Sequence, residues 1–228
     1  MDPFSPPPEV NVLLLGDDEV GKSTFLSYVS NRFKQRFNPA VQLLTFTRRL
    51  SLGVRPQDDS LPPYELPKLR DMDQPFAFNV TLYRRPYALN FYDTASPTNY
   101  TLLRPDFIIL CYDISRRETL HSIRTRWREL VNAHFNYDEA LPVLVLGLKR
   151  DLRREWTEEE KKDGGRGPCV MPQEGLGVAQ ELLSDMYAEC SALTGELCRE
   201  VLEDVARRAA RTTTEKGAKS DGTQCMVM

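Results

Sequence analysis

The feature that most constrains this chain is the glycine-rich segment GDDEVGKS at residues 16–23. It fits the pattern G-x-x-x-x-G-K-[ST], in which glycines let the backbone wrap around phosphates and the lysine neutralises their charge. The preceding residues, 10–15 (VNVLLL), are predominantly apolar and predict a buried parallel strand. Residues 22–33 carry apolar side chains at helical spacing. This strand–loop–helix order is the setting a phosphate-binding loop requires, so we predict that the loop binds the phosphates of a nucleotide.

Within this loop the residue types assign distinct roles. Lys22 is expected to neutralise the β- and γ-phosphates, and the Ser23 hydroxyl to bind Mg²⁺. A glycine-rich turn with a solvated lysine is the alternative interpretation of the pattern. The candidate phosphate-binding residues are Gly16, Asp18, Glu19, Val20, Gly21, Lys22, Ser23 and Thr24.

The rest of the chain alternates apolar strands with helical patterns. This alternation predicts an α/β fold with a mostly parallel sheet, helices on both faces and one antiparallel edge. A proline-rich, charged stretch at residues 54–75 interrupts the pattern and is predicted to be a long inserted loop. The further predicted strands are 77–83 and 87–92 (a hairpin), 107–112, 143–148 and 187–190, and the further predicted helices are 117–135, 177–186 and 196–211.

Composition excludes several classes of protein. With 228 residues the chain suits one ordinary α/β domain with tails, or at most two small domains. Its 30 basic and 33 acidic side chains argue against nucleic acid as the main partner. The five cysteines form no C-x-x-C pair, which disfavours a zinc site or a disulfide framework and favours a reducing compartment. No apolar run approaches the ~18 residues that a membrane span needs.

Two later segments indicate which base the nucleotide carries. Lys149, Arg150 and Asp151 follow a predicted strand, where a carboxylate can accept two hydrogen bonds from the guanine N1–H and 2-amino group. The segment ECSALT at residues 189–194 follows another short strand, where a backbone amide can contact guanine O6. The candidate guanine-binding residues are Lys149, Asp151, Ser191, Ala192 and Leu193. Adenine offers no such pair of donors, so we predict a guanine nucleotide.

In this order, the phosphate loop, Asp93-Thr-Ala, the Lys149–Asp151 segment and ECSALT resemble the Ras superfamily of small GTPases, most closely the Rho branch. The resemblance covers about residues 10–211 and implies a three-layer small G domain of the P-loop NTPase class, with a sheet of about six strands. It also implies GTP or GDP and Mg²⁺ as ligands, with Asp93 contacting the metal through a water. Effectors and exchange factors of the Rho type, and a monomeric state, are implied as well.

The resemblance also sets the expected domain plan. It comprises a flexible lead at 1–9, the GTPase domain at 10–211, and a hypervariable tail at 212–228. The domain would contain the inserted loop at about 42–76 and a charged Rho-type insert at about 152–167.

The chain departs from the family pattern where hydrolysis and switching are carried out. Asp18 and Glu19 stand where small residues are usual, and Ala40 stands where a threonine hydroxyl coordinates Mg²⁺. The family's glycine and water-orienting glutamine are replaced by Ser96 and Pro97, and proline has no side-chain amide to orient water. These changes predict impaired hydrolysis of GTP.

Two interpretations of these departures stay open. One is a Rho-like GTPase in membrane-associated signalling that cycles slowly, with Thr45 or Thr47 supplying the missing hydroxyl and another residue positioning water. The other is a pseudo-GTPase that holds nucleotide without cycling and acts as a scaffold or a permanently active signal.

The C-terminus, Cys225-Met-Val-Met228, matches C-a-a-X with a terminal methionine, which favours farnesylation of Cys225. One prenyl chain binds membranes only marginally without a second signal. From Arg207 onward there are five basic and two acidic residues, a net charge of +3 that aids binding to an anionic surface. We therefore expect a cytoplasmic protein associated with the cytoplasmic face of a membrane.

Five residues with reactive or aromatic side chains have structural interpretations. Trp127 is predicted to pack in the core, and His121 and His134 to be solvated on a helix. Cys111 and Cys190 lie in apolar strands and are predicted to be inert core thiols.

Overall fold

The computed structural model describes residues 7–37, 74–82, 85–93, 103–135, 141–154 and 167–220. Most of the predicted inserted loop (about 42–76) and of the charged insert (about 152–167) lies outside these ranges, and so do residues 221–228.

A six-stranded sheet forms the centre of the fold, with the order β2-β3-β1-β4-β5-β6. β2 and β3 pair antiparallel as a hairpin, and the other neighbouring strands pair in parallel. This architecture confirms the predicted mostly parallel sheet with one antiparallel edge. The strands are β1 (Glu9–Leu15), β2 (Phe76–Leu82), β3 (Arg85–Asp93), β4 (Phe107–Asp113), β5 (Val143–Leu148) and β6 (Met186–Glu189).

Helices cover both faces of this sheet. They are α1 (Lys22–Phe37), α2 (Arg117–Ser122), α3 (Arg128–Phe135), α4 (Pro172–Glu181) and α5 (Cys198–Ser220). A π-helical segment, Ile123–Trp127, joins α2 to α3. Within the described ranges, no helix is long and apolar enough to cross a membrane.

Alternation along β1 explains why both faces of the sheet are covered. Val12 and Leu14 lie in one core cluster, together with apolar residues of α1 and α5. Leu13 and Leu15 lie in a second cluster, with residues of α2, the π segment and α4. Since successive side chains of a strand point to opposite faces, a strand that is apolar on both faces has to be buried between two layers.

Several predictions for the helices are wrong. The helix predicted at 22–33 extends to Phe37. The helix predicted at 177–186 is α4, which begins at Pro172 because proline suits the first turn of a helix. It ends before Leu183, which has a left-handed backbone with φ 53°. The single helix predicted at 117–135 contains the π segment, and the last helix extends from Cys198 to Ser220 rather than ending at residue 211.

The predictions for the reactive and aromatic side chains are confirmed. Trp127 is 3% exposed, and His121 and His134 are exposed. Cys111 and Cys190 are buried free thiols, and burial raises the pKa of Cys111 to about 12. A thiol with so high a pKa is protonated at neutral pH and unreactive.

Candidate functional site

The candidate site lies where the order of strands reverses. β1 sits between β3 and β4, and the chain runs outward from β1 in both directions of the sheet. Crevices at such switch points, outside the carboxyl ends of the strands, are where α/β proteins bind ligands. The loop at residues 16–23 follows the carboxyl end of β1, and Asp93, Asp113 and Lys149 lie at the ends of β3, β4 and β5.

The backbone of the loop explains the positions of its glycines. Gly16 has φ 151°, and a Cβ atom there would lie 2.3 Å from the Cys111 carbonyl oxygen of β4. Gly21 has φ 110°, and Glu19, which is not glycine, has φ 61°. Gly16 is therefore required by the close approach of the loop to β4, whereas Glu19 adopts a left-handed conformation that is rare for its type.

Lys22 is the central cation of the loop. Its side chain is largely buried, and Nζ donates hydrogen bonds to the carbonyl oxygens of Gly16 at 3.0 Å and Asp17 at 2.9 Å. It lies at the N-terminus of α1, where unpaired N–H groups and the helix dipole favour an anion. Lysine and helix end thus present positive charge to the same crevice.

Ser23 and Asp93 lie side by side in this crevice. The Ser23 hydroxyl donates a hydrogen bond to Asp93 Oδ2 at 2.7 Å, and the Asp93 carbonyl oxygen accepts one from Gln74 at 2.6 Å. Hydroxyl and carboxylate oxygens are the ligand types that Mg²⁺ prefers. This pair of oxygens therefore fits the predicted metal ligand and its water-mediated partner.

Lys149 connects residues 149–151, the predicted base-reading segment, to the phosphate loop. Its backbone is left-handed, with φ 58°. Nζ donates hydrogen bonds to the Glu19 carbonyl oxygen at 2.7 Å and to Asp113 Oδ2 at 2.8 Å. The two segments, separated by 126 or more positions in sequence, form one surface.

Asp151 and the ECSALT segment also come together. The Ser191 hydroxyl donates a hydrogen bond to Asp151 Oδ1 and accepts one from the Thr194 amide at 3.2 Å. Ser191 and Ala192 are buried, whereas Leu193 is 40% exposed. The structure therefore gathers the predicted guanine-binding residues at one edge of the sheet, and their binding of a base stays a prediction.

A group of residues beneath this surface was not among the predicted site residues. The Asp113 carboxylate accepts hydrogen bonds from Lys149, from the Ser115 amide and hydroxyl at 2.8 and 2.6 Å, and from Arg116 Nε at 3.1 Å. Burial opposes its ionisation, but the hydrogen bonds from Lys149 and Ser115 outweigh burial and lower the pKa of Asp113. A carboxylate at the end of a buried strand, like Asp93, was a signal in the sequence that pointed to this position.

Trp127 has a second role besides packing in the core. Its indole Nε1 donates a hydrogen bond to Asp17 Oδ1 at 2.9 Å, and Arg126 lies over its ring at 4.8 Å. The π segment ends at this tryptophan, and such segments shift the following side chains around the helix. The hydrogen bond from Trp127 to Asp17 therefore connects the phosphate loop to the helices on this face of the sheet.

A further hydrogen-bond network lies next to the base-reading segment. Arg153 makes two hydrogen bonds to the Glu189 carboxylate, both at 2.6 Å. Tyr187 donates to the same carboxylate, and its hydroxyl lies 3.0 Å from that of Tyr112. Burial raises the pKa of both tyrosines. Arg153 closely follows Asp151 in sequence, and Glu189 closely precedes Ser191. This network therefore holds the two segments of predicted guanine-binding residues together.

Several predicted positions lie outside the described residues. They are Ala40, Thr45, Thr47, Ser96, Pro97 and Cys225.

The fold and this crevice define a nucleotide-binding α/β domain built around a phosphate loop. Comparison with known proteins identifies its family. A model of the Ras family matches residues 74–211, more than half of the chain. That range excludes the phosphate loop, so the loop and the family match are independent indications.

Individual relatives agree with this match. The chain is 24% identical to Rho-related GTP-binding protein RhoF of Mus musculus over 216 residues, 92% of this chain and 84% of RhoF. It is 30% identical to GTP-binding protein RHO1 of Saccharomyces cerevisiae over 162 residues, 63% of this chain and 76% of RHO1. It is 25% identical to GTP-binding protein RHO5 of the same yeast over 229 residues, 92% of this chain and 68% of RHO5. The chain belongs to the Ras family, as a divergent, Rho-like small GTP-binding protein.

Proposed function

We propose that this protein binds GTP and GDP with Mg²⁺ at the carboxyl edge of its sheet and hydrolyses GTP poorly. The observation that carries the proposal is the contact between the phosphate loop and the base-reading segment, made by Lys149 Nζ on the Glu19 carbonyl. A single nucleotide can span these two segments, with its phosphates at Lys22 and its base at Asp151. Membership of the Rho-like GTP-binding proteins supports guanine as that base.

Base recognition is assigned to Asp151 and the ECSALT loop. Asp151 would accept two hydrogen bonds from guanine N1–H and the 2-amino group, with Ser191 holding the carboxylate in place. The Ser191 amide donates to the Glu196 carbonyl at 3.0 Å, so the Ala192 amide is the better candidate to contact O6.

We expect Asp151→Asn to lower affinity for GTP about 100-fold and to shift preference toward XTP, because an amide complements xanthine and opposes guanine. The loss corresponds to two hydrogen bonds at ~1.5 kcal/mol each. Competition of GTP, XTP and ATP against a fluorescent GDP measures this preference. Asp204→Asn, an exposed aspartate on α5, is the matched control and should change nothing. Equal competition by ATP and GTP for the unmodified protein would contradict the assignment.

Mg²⁺ is assigned to Ser23 and, through a water, to Asp93. The ion would offset charge between the β- and γ-phosphates. Ser23 and Asp93 already lie within hydrogen-bond distance of each other, so the chain positions these two oxygens through packing of β3 against β1. We propose that Ala40 leaves this metal shell without the family's threonine hydroxyl.

Impaired hydrolysis is proposed from four sequence departures. Asp18 is exposed in the phosphate loop. Its charge would repel a γ-phosphate, and its side chain would occupy the space that an arginine finger enters. Ala40, Ser96 and Pro97 remove groups that complete the metal shell, bind the γ-phosphate and orient water. A pseudo-GTPase that holds nucleotide and serves as a scaffold is the alternative that these same residues support.

Membrane association is proposed through a prenyl group on Cys225, aided by the basic tail. We propose that residues 10–211 form the GTP-binding domain, with 1–9 and 212–228 as flanking segments. The protein would act as a monomer at the cytoplasmic face of a membrane, with exchange factors and effectors of the Rho type.

Cys225→Ser is expected to move the protein from the membrane fraction to the supernatant, because one farnesyl chain is the dominant anchor. Fractionation of cells at low and high salt measures this, and binding of the unmodified protein should weaken as salt rises. Met228→Leu is the matched control, since leucine at that position favours geranylgeranylation and should retain the protein on membranes. An unmodified C-terminal peptide in mass spectra of the native protein would contradict the proposal.

A further inference from the structure

Asp113 is a buried aspartate at the end of β4, beneath the proposed nucleotide site. Its side chain is 2% exposed and lies at the carboxyl end of β4, next to the phosphate loop. A buried carboxylate is costly unless it is paired and hydrogen-bonded. Here it is paired with two cations, Lys149 at 2.8 Å and Arg116 at 3.1 Å.

Each of these cations makes a second contact, and both contacts are to the phosphate loop. Lys149 Nζ donates to the Glu19 carbonyl at 2.7 Å. Arg116 Nη2 donates to the Asp18 carbonyl at 3.1 Å. The Asp113 carboxylate thus pairs with two cations, and each cation also donates a hydrogen bond to one of two successive carbonyl groups of the loop. We call these two connections the bridges.

These two carbonyls belong to Asp18 and Glu19, the segment of the loop that contains the left-handed non-glycine residue. Glu19 has a left-handed backbone that its side-chain type rarely adopts, and Asp18 and Glu19 are both acidic and exposed. Strained backbone persists only where surrounding contacts hold it. The hydrogen bonds from Arg116 and Lys149 to the Asp18 and Glu19 carbonyls are contacts of this kind.

We propose that Asp113 and Arg116 are positioning residues for the bound nucleotide, which hold the Asp18–Glu19 backbone and Lys149 in place and thereby slow nucleotide release. The inference rests on the proposed function, since it concerns the same guanine nucleotide site. Neither residue needs to touch the nucleotide. Their effect passes through Lys149 and through the two loop carbonyls.

The test is the rate at which N-methylanthraniloyl-GDP dissociates from the full-length protein in the presence of Mg²⁺ and excess GDP. Asp113→Asn removes the charge that both bridges share and is expected to speed release about tenfold, as for one lost charge-assisted hydrogen bond. Arg116→Gln breaks one bridge and is expected to speed release about threefold. Arg124→Gln, which breaks an exposed ion pair between the π segment and Glu181 of α4, is the matched control and should leave the rate unchanged.

The double variant separates positioning from general destabilisation. Because Arg116 acts through Asp113, Asp113→Asn with Arg116→Gln should release GDP no more than about twofold faster than Asp113→Asn alone. Multiplication of the two single effects would instead show independent structural roles and overturn the inference. Unchanged release in both single variants would overturn it as well.

Failure of the proposed function gives a different result. If the unmodified protein does not bind the fluorescent GDP, guanine nucleotide binding is wrong and the inference falls with it. If it binds and only the variants are unaffected, binding stands and the inference alone is wrong. Arg116 is partly exposed, so Arg116→Gln keeps the test decisive should Asp113→Asn fail to fold.

Discussion

Replacing Lys22 by alanine is expected to weaken GDP binding by at least about 100-fold. Its ammonium group is held at the loop by the Gly16 and Asp17 carbonyls, where it would face two phosphate groups. Each charge-assisted hydrogen bond contributes ~1.5–3 kcal/mol, so losing two costs ~3–6 kcal/mol, and ~1.4 kcal/mol is a factor of ten. Titration with a fluorescent GDP measures the change.

The matched control for this variant is Lys34→Ala. Lys34 lies on the same helix, α1, about 18 Å further along its axis at 1.5 Å per residue. Its replacement should leave GDP affinity within about twofold, provided that both variants melt cooperatively. An unchanged affinity in Lys22→Ala would show that the loop at residues 16–23 does not bind phosphate.

Restoring the family's residues at three positions is expected to accelerate GTP hydrolysis at least about tenfold. The triple variant Asp18→Gly, Ser96→Gly and Pro97→Gln removes the acidic side chain at the loop and returns the groups that bind the γ-phosphate and orient water. Phosphoryl transfer in such proteins depends on positioning and on charge stabilisation, so missing parts lower the rate without preventing binding.

Single-turnover hydrolysis of bound GTP, followed by chromatography of the extracted nucleotide, measures the effect. Asp204→Gly, on the exposed side of α5, controls for the loss of an aspartate and should not change the rate. A triple variant that binds GTP normally yet is no faster would contradict the roles assigned to Asp18, Ser96 and Pro97.

The central strands β1, β4 and β5 could be predicted from the sequence because they are buried on both faces of the sheet. β4 is buried at all seven positions, and its first six residues form an uninterrupted apolar run that ends at Asp113. The parallel order followed from the helices between strands. The helix boundaries could not be predicted as well, because local apolar spacing at 177–186 gave no sign that the chain turns at Leu183 or that β6 begins at Met186.

The candidate site was predictable only where a motif marks it. Lys22, Asp151 and Ser191 stand in patterns that depend on local spacing. Trp127 does not, because its hydrogen-bond partner Asp17 lies 110 positions away. Asp113 has Ser115 and Arg116 nearby in sequence, but its contact with Lys149 spans 36 positions. Such contacts arise when the sheet brings strand ends together, and one sequence carries no local record of them.

The sequence was also informative about where the family pattern fails. The substitution of proline for a water-orienting glutamine follows from residue types alone, since proline has no side-chain amide. Its consequence depends on what else lies near the γ-phosphate. The effect of this substitution is therefore best measured as the rate of GTP hydrolysis.

The central claim is that this protein holds a guanine nucleotide and hydrolyses GTP poorly. Time-resolved extraction of the nucleotide from purified protein loaded with GTP and Mg²⁺ tests it most directly, because it reports both the base and the rate. We expect about one guanine nucleotide per chain and loss of GTP at or below ~10⁻⁴ s⁻¹, the scale of intrinsic Ras hydrolysis. Retention of adenine nucleotide, or loss of GTP within seconds, would contradict it.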